Sequence, residues 1–413
     1  MRAIVSAARV RGTNLRFEKC VRQSVLFAVL SAESTSIAGA QNIRIEPPVQ
    51  VSPPGSGGHF WGIGNTHAAP DDPRSLITCG IRIRSSPLSW EGYLYASADG
   101  GLTWRTARVD STLSDSGVPN QVSETSCALG RNRAMYMNTS VYGKWHSQPF
   151  QLSHSGDGGQ TWSEPLQRRA WYDATRSVVD NTGGPFDGHL YIFSNRYLEG
   201  PDLAANPCYP CYEPLLVSTD GGRSVQPAFV EKPGKQYATG GWPSQAVVLN
   251  DGKVMAAHVA LFGAMPNGGK NGEPWDAPAK WGIDVVTSSD GGRSLDKAVT
   301  IQKWQQDLNM RTMDTAEPTG GFNSVTTLAV DRSSGTYGNR VYVAWREADN
   351  ADAVARIMLA CSSDSGKTWS KPVRVDDAAQ YRIGLSIRYA NRNGVKVATI
   401  PSVTICKPGE ETP

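Results

Sequence analysis

One eight-residue motif decides the fold of this chain, and its clearest copy is Ser97-Ala-Asp99-Gly-Gly101-Leu-Thr103-Trp104. The pattern is Ser-x-Asp-x-Gly-x-Thr/Ser followed by an apolar residue, and it occurs five times at intervals of roughly 60 to 75 residues. The other copies begin at Ser155, Ser218, Ser288 and Ser362. A motif that returns at a nearly constant interval indicates a repeat architecture with one structural unit for each copy.

The residue types of the motif predict a tight hairpin turn. An aspartate at the start of a turn can accept hydrogen bonds from the backbone N–H groups that follow it. The glycines permit positive φ, and the final apolar residue returns the chain to a buried layer. We therefore interpret the five aspartates of the motif as structural residues, namely Asp99, Asp157, Asp220, Asp290 and Asp364.

Short apolar strands surround each copy of the motif. One strand runs directly into the turn, as Tyr93 to Ala96 does before the first copy. A pair of strands lies further upstream, as in residues 246–249 and 254–257, which Asn250-Asp-Gly252 separates. No segment with helical periodicity stands out after the first 40 residues. Four short strands in each unit are typical of the blades of a β-propeller.

The turn motif resembles the Asp-box, or bacterial neuraminidase (BNR) repeat, of sialidase-like propellers, from about Phe60 to Val375. The resemblance implies an all-β, six-bladed propeller of four-stranded antiparallel blades, with each Asp-box between the third and fourth strands on the face away from the active site. The five copies account for five of the six expected blades, so one further blade has to be formed from other segments. We expect both termini to close it, with Ile43–Ile45, Val49–Val51 and strands after Trp369, so that the propeller covers residues 59–413.

The first 40 residues resemble an export signal. Basic residues precede a short apolar stretch, Ser24 to Ala32, and Ala38-Gly-Ala40 fits a signal-peptidase site. The apolar stretch is too short to span a bilayer, and no other stretch approaches a transmembrane helix. We expect residues 1–40 to be a secretory signal peptide, residues 41–58 to be a Pro/Gly-rich N-terminal strand and linker, and the protein to be secreted or periplasmic.

Composition narrows the possible partners. The net charge is +3 and charged residues are 19% of the chain, without a long basic run beyond the first 23 residues. This balance argues against nucleic-acid binding. The six histidines have no ligand spacing, so we expect no metal and no cofactor. A glycan or glycoconjugate is the expected partner of a monomeric propeller.

Propellers bind ligands at one mouth, so we expect site residues in the loops before first strands and between second and third strands. The resemblance implies sialidase chemistry, which needs three kinds of residue. An arginine cluster binds the carboxylate of the substrate, a tyrosine assisted by a glutamate is the nucleophile, and an aspartate transfers the proton. The arginines are Arg82 or Arg84, with Arg196 and Arg346. The other candidates are Tyr172 or Tyr197, Glu347 or Glu199, and Asp173, with Trp242 as a further substrate contact.

Two functions remain open at this point. The first is an exported glycoside hydrolase of exo-sialidase type, and the second is a non-catalytic Asp-box propeller that binds glycan or protein. Sialidases carry an Arg-Ile-Pro motif before the first Asp-box, whereas Gly80-Ile-Arg82-Ile-Arg84 has no proline. The catalytic residues are therefore candidates, and the fold is independent of this choice.

Cysteine usage fits export. Cys20 lies in the predicted signal, and the six remaining cysteines are an even number, as disulfides require. We expect Cys79 and Cys127 to lie on the opening strands of blades one and two, side by side around the axis. The sequence therefore predicts a Cys79–Cys127 disulfide, which closes a loop of about 48 residues and contributes on the order of 4 kcal/mol.

Overall fold

The structure is a computed structural model, and it describes residues 47–53, 59–63, 66–85, 88–110, 121–142, 149–169, 171–197, 215–228, 243–262, 280–305, 326–348 and 355–375, with four short strands between 382 and 406. The described part is all-β, as predicted. Its only helical element is one 3-10 turn at Arg131–Arg133. The described part of the chain holds no helix long and apolar enough to span a bilayer.

Blades one and two are antiparallel sheets that are each four strands wide. In blade one, β1 (His59–Ile63) and β2 (His67–Ala68) pair with successive parts of β3 (Leu76–Ser85), followed by β4 (Leu88–Ser97) and β5 (Arg105–Asp110). In this way β1 and β2 share the place of a single strand. Blade two contains β6 (Gln121–Leu129), β7 (Met135–Tyr142), β8 (Pro149–Ser155) and β9 (Leu166–Arg169). A single parallel pair, Trp90 with Gln121, joins the two blades into one nine-stranded sheet.

Blades three to five repeat the same order of strands. Blade three contains β10 (Trp171–Val179), β11 (Leu190–Tyr197), β12 (Leu215–Ser218) and β13 (Gln226–Pro227). Blade four contains β14 (Val247–Val248), β15 (Val254–Phe262), β16 (Lys280–Ser288) and β17 (Val299–Gln305). Blade five contains β18 (Thr326–Val330), β19 (Val341–Ala348), β20 (Ala355–Ser362) and β21 (Val373–Arg374).

The Asp-box aspartates have the predicted structural role. In the first box, Asp99 Oδ1 accepts hydrogen bonds from Ser97 Oγ at 2.8 Å and from the Thr103 backbone N–H at 2.9 Å, and Asp99 Oδ2 accepts from Thr103 Oγ1 at 2.6 Å. The Ser97 hydroxyl oxygen accepts from the Gly101 N–H at 2.9 Å. The same bonds recur in all five boxes, so each turn joins the third and fourth strands of its blade.

Consecutive blades pack face to face through apolar side chains. One face of the second and third strands contacts the next blade, and the other face contacts the preceding blade. The core between blades three and four, for example, joins Tyr191, Phe193 and Val217 to Val254 and Val286. Similar cores lie between blades one and two, two and three, and four and five.

The Asp-boxes take part in this packing. A β-carbon added at Gly222 of box three would lie 3.2 Å from the Tyr136 ring of blade two. At Gly292 of box four it would lie 2.3 Å from Val217 Cγ2 of blade three. These glycines have φ of +86° and +84°. They are therefore required both for backbone conformation and for close contact with the preceding blade.

The first strands of blades one, three and five end near one another. Burial, and after it the positive charge of Arg332 that follows β18, lower the pKa of His67 in β2 to about 4. The guanidinium of Arg332 also interacts with the Asp180 carboxylate that follows β10. Charged and titratable groups of blades one, three and five therefore interact with one another.

The termini are only partly described. The predicted tail strands are present as β22 (Arg382–Leu385), β24 (Val395–Thr399) and β25 (Val403–Cys406), together with β23 (Arg388–Arg392). They form two pairs, β22 with β25 and β23 with β24. The expected strand at Val49–Val51 is wrong, since these residues lie outside any strand. Residues 1–46, including the predicted signal and Ile43–Ile45, lie outside the described residues, and a sixth blade stays a prediction.

The Asp-box bonds predict acid sensitivity. Hydrogen bonds from the Thr103 hydroxyl and N–H, and then from Ser97, lower the pKa of Asp99 to about 2, and equivalent bonds led by Thr161 lower the pKa of Asp157. A carboxylate with a lowered pKa adds stability above the unfolded-state pKa of about 4, and this stability is lost as pH falls toward about 2. We expect urea midpoints to fall steeply between these pH values.

The substitution Asp99→Asn provides the control for this prediction. Asparagine keeps one acceptor oxygen but does not titrate, so it should flatten the dependence of the urea midpoint on pH. An unchanged slope in Asp99→Asn would show that other carboxyl groups cause the acid sensitivity.

Candidate functional site at the end opposite the Asp-boxes

Because neighbouring strands of a blade run in opposite directions, each blade has strand termini at both ends of the fold. The Asp-box lies where the third strand ends. The start of the first strand, the end of the second and the start of the third therefore lie at the other end, which we call the mouth. Arg82 and Arg84 lie in the half of β3 nearer the mouth, and Glu91 lies in the corresponding half of β4.

The strands at the mouth are longer than the sequence predicts, and this corrects the position of the candidate residues. Tyr172 and Asp173 lie within the first strand β10, Arg196 lies within β11, and Arg346 and Glu347 lie within β19, rather than in loops. Cross-strand pairing continues as far as Trp171 with Tyr197 in blade three. The side chains of these candidates lie outside the described part, as do Glu199 and Trp242 altogether.

The register of the strand pairing shows which candidate residues occupy equivalent positions in different blades. Tyr172 is paired with Arg196 across β10 and β11. Leu76 and Leu190 pair with the serines that begin their Asp-boxes, and Arg82 and Arg196 are each six residues further along the second strand. These two arginines therefore occupy equivalent positions of blades one and three.

Blade five differs at the equivalent position. Val341 pairs with the box serine Ser362, so the equivalent residue of β19 is Glu347, and Arg346 precedes it. Neighbouring residues of a strand lie on opposite faces. Arg346 therefore has a different register from Arg82 and Arg196, and a carboxylate takes the third equivalent position.

A hydrogen-bonded cluster of arginine, tyrosine and glutamate lies on blade one. Arg82 Nη1 donates to the Tyr93 hydroxyl oxygen at 3.1 Å, and the Tyr93 hydroxyl donates to Glu91 Oε2 at 2.9 Å. The Arg82 Cζ atom also lies 5.7 Å from the Tyr93 ring centroid. Arg82 and Glu91 are directly paired across β3 and β4, so strand register fixes the cluster.

A second tyrosine supports this cluster. The Tyr95 ring stacks on the Tyr93 ring, with centroids 5.7 Å apart and planes 15° apart. Burial raises the pKa of Tyr95 to about 12, with a smaller contribution from Tyr93. Tyr95 therefore stays protonated at neutral pH and holds the Tyr93 ring in place, whereas the half-buried Arg82 and Glu91 lie nearer the mouth.

The cluster has the parts that nucleophilic catalysis by a tyrosine requires. Glu91 is placed to accept the phenolic proton, and the Arg82 guanidinium is placed to stabilise negative charge on the same oxygen. Sequence reasoning found Arg82 but missed Tyr93 and Glu91. Glu91 and Tyr93 are two residues apart in β4, and strand residues with this spacing share one face of the strand. This spacing was the signal in the sequence that could have identified them.

The two cysteines of the predicted disulfide lie in one core. Cys79 and Cys127 are buried free thiols in the core between blades one and two. Cys127 lies on the first strand of blade two, as predicted, but Cys79 lies on β3, the second strand of blade one. The assignment of Cys79 to an opening strand is wrong because β1 and β2 already fill that place. The disulfide itself stays a prediction.

Within the residues that the structure describes, no group of three or more His, Cys, Asp or Glu side chains is placed to hold a metal ion.

Comparisons with known proteins give structural matches only. No model of a known protein family matches the sequence, and no curated protein matches it. Among solved structures, the chain is similar to the Hadza microbial sialidase Hz136, with 15% identity and a TM-score of 0.42 over 77% of this chain. The matched region spans 58% of the length of that sialidase.

Two further matches cover more of their own chains. A leech intramolecular trans-sialidase has 12% identity and a TM-score of 0.46, over 84% of this chain and 68% of its own. A Penicillium chrysogenum α-L-arabinanase has 12% identity and a TM-score of 0.41, over 81% of this chain and 91% of its own. Sialidases and other propeller glycosidases are thus among the similar structures, as the Asp-boxes predict.

Proposed function

We propose that the chain is an exported glycoside hydrolase of exo-sialidase type that removes an acidic sugar from the end of a glycan. The hydrogen-bonded cluster of Arg82, Tyr93 and Glu91 in blade one is the observation that carries the proposal. Tyr93 is buried near the middle of β4, with 7% of its surface exposed, and Arg82 and Glu91 lie nearer the mouth than it does. A tyrosine whose hydroxyl donates to a carboxylate is a nucleophile with its base already in place.

The proposed reaction begins at Tyr93. Its proton passes to Glu91 as the phenolic oxygen attacks the anomeric carbon, and the bond to the leaving glycan breaks through an oxocarbenium-like transition state. Arg82 stabilises the oxygen before and after attack, because its N–H already points to it at 3.1 Å. Water then attacks the glycosyl–tyrosine intermediate and gives a proton to the Asp173 carboxylate, while Glu91 returns its proton to the Tyr93 oxygen as the sugar leaves.

The remaining roles belong to residues at the mouth of blades three and five. Asp173 is the proposed acid that protonates the leaving oxygen. Arg196, at the position equivalent to Arg82, is the proposed ligand of the sugar carboxylate, with Arg346 as a second cation. Tyr172, paired with Arg196, and Trp242 are proposed to contact the sugar. Export of the mature chain after residue 40 belongs to the same proposal.

The experiment is a turnover assay on a fluorogenic sialoside and on a matched arabinofuranoside that lacks the carboxylate. We expect cleavage of the sialoside only, and we expect Arg196→Ala and Arg346→Ala each to slow it. If neither substrate is cleaved while the protein still binds on a glycan array, the chain is a non-catalytic glycan-binding propeller. Cleavage of the arabinofuranoside alone would contradict the carboxylate-binding role of the arginines.

A further inference from the structure

Two thiols meet in the core between blades one and two. Cys79 lies on β3 with 3% of its surface exposed, and Cys127 lies on β6 with none exposed. The two thiols are in hydrogen-bonding contact, within an apolar cluster that includes Ile77, Leu94 and Met137. Cysteines from separate blades that share one buried contact are placed for a cross-link, which requires closely spaced Cβ atoms.

We propose that Cys79 and Cys127 form a covalent cross-link, an interblade disulfide that joins β3 to β6. Two S–H bonds break and one S–S bond forms, and the two protons pass to the sulfur atoms of the oxidant. The two electrons pass to a small-molecule disulfide, which leaves as two thiols. The proposal concerns the core of the fold and holds whether or not the chain hydrolyses glycans.

Burial determines when the cross-link forms. The thiolate is the reacting species, and burial in the apolar core raises the pKa of Cys127, with a further contribution from Cys79. The packed thiols are therefore protonated and inaccessible to an oxidant. The cross-link forms before blade one packs on blade two, while the chain folds.

The cross-link also restrains the strand that carries the candidate site. Cys79 is three residues before Arg82 on β3, on the face that contacts blade two. Arg82 lies on the opposite face, with Tyr93. A bond from Cys79 to β6 therefore holds β3 in one register against the next blade.

The test refolds the full chain either with oxidised and reduced glutathione or with reductant alone, followed by peptide mapping without reduction. We expect the oxidised chain to give a Cys79–Cys127 linked peptide pair, in the native sequence and in the control Cys361→Ser. Its thermal midpoint should exceed that of the reduced chain by about 5 °C. This comparison needs no cysteine variant, so a folding defect in Cys79→Ala does not affect it.

Timing is tested on the same chain. Oxidised glutathione added to the folded, reduced protein should form the linked pair far more slowly than it forms during refolding. Alkylatable Cys79 and Cys127 after oxidative refolding, or linkage of either one to another cysteine, would overturn the proposal. Rapid linkage in the folded protein would overturn the conclusion that packing protects the thiols.

Discussion

Replacement of Gly292 by alanine should destabilise the protein by about 3–5 kcal/mol. Gly292 has φ of +84°, which costs a residue with a β-carbon about 1–2 kcal/mol. The added β-carbon would also lie 2.3 Å from Val217 Cγ2 and 3.0 Å from the Tyr191 ring, so box four would be pushed away from blade three. Urea denaturation of the purified chain measures the change.

Gly100 provides a matched control for this substitution. It lies in box one with φ of +79°, and an added β-carbon would have no neighbour within 4 Å. Gly100→Ala should therefore show the backbone cost alone, about 1–2 kcal/mol. Equal losses in the two variants would contradict the packing of box four on blade three.

Removal of Arg82 should reduce kcat/KM for a sialoside by a factor of about 30 to several thousand. This range corresponds to about 2–5 kcal/mol for loss of one charged partner from a desolvated pair. Arg82→Ala leaves the Tyr93 oxygen without its cationic donor. Arg82→Lys keeps the charge but loses the planar guanidinium, so its activity should lie between those of the native chain and Arg82→Ala.

Arg131→Ala is the matched control for Arg82. Arg131 belongs to the opposite end of the fold, where it forms an ion pair with Asp187 at 3.4 Å and donates to the Asn181 carbonyl oxygen at 2.8 Å. Its loss should change kcat/KM less than about threefold, since exposed ion pairs contribute little. Equal effects of Arg82→Ala and Arg131→Ala would indicate a general loss of structure rather than a role at the site.

The Asp-boxes made most of the fold predictable. The bonds from the serine, aspartate and threonine that form the turn are local, between residues at most four apart in the sequence, so eight residues are enough to predict the turn. The position of each turn also predicts the strand that runs into it. The first strand of blade one was missed because His59-Phe-Trp-Gly-Ile63 lacks the alternation of apolar and polar residues that marks a strand.

The candidate site was less predictable because register decides it. Arg82, Glu91 and Tyr93 are visible in the sequence, but their contact depends on β3 pairing with β4 so that Leu76 is opposite Ser97. A shift of one residue would move Arg82 to the other face of the blade. Strand register also gives Arg346 a different position from Arg82 and Arg196, although the sequence predicted that the three arginines form one cluster.

The most direct measurement traps the covalent intermediate. A fluorinated sialoside, whose fluorine slows hydrolysis of the glycosyl–enzyme bond, is incubated with the native chain, and peptide mapping locates the adduct. We predict one sugar adduct, on Tyr93, and none in Tyr93→Phe. An adduct on Tyr172 or Tyr197 would contradict the assignment of the nucleophile, and the absence of any adduct would contradict the proposal that this propeller is a glycoside hydrolase with a tyrosine nucleophile.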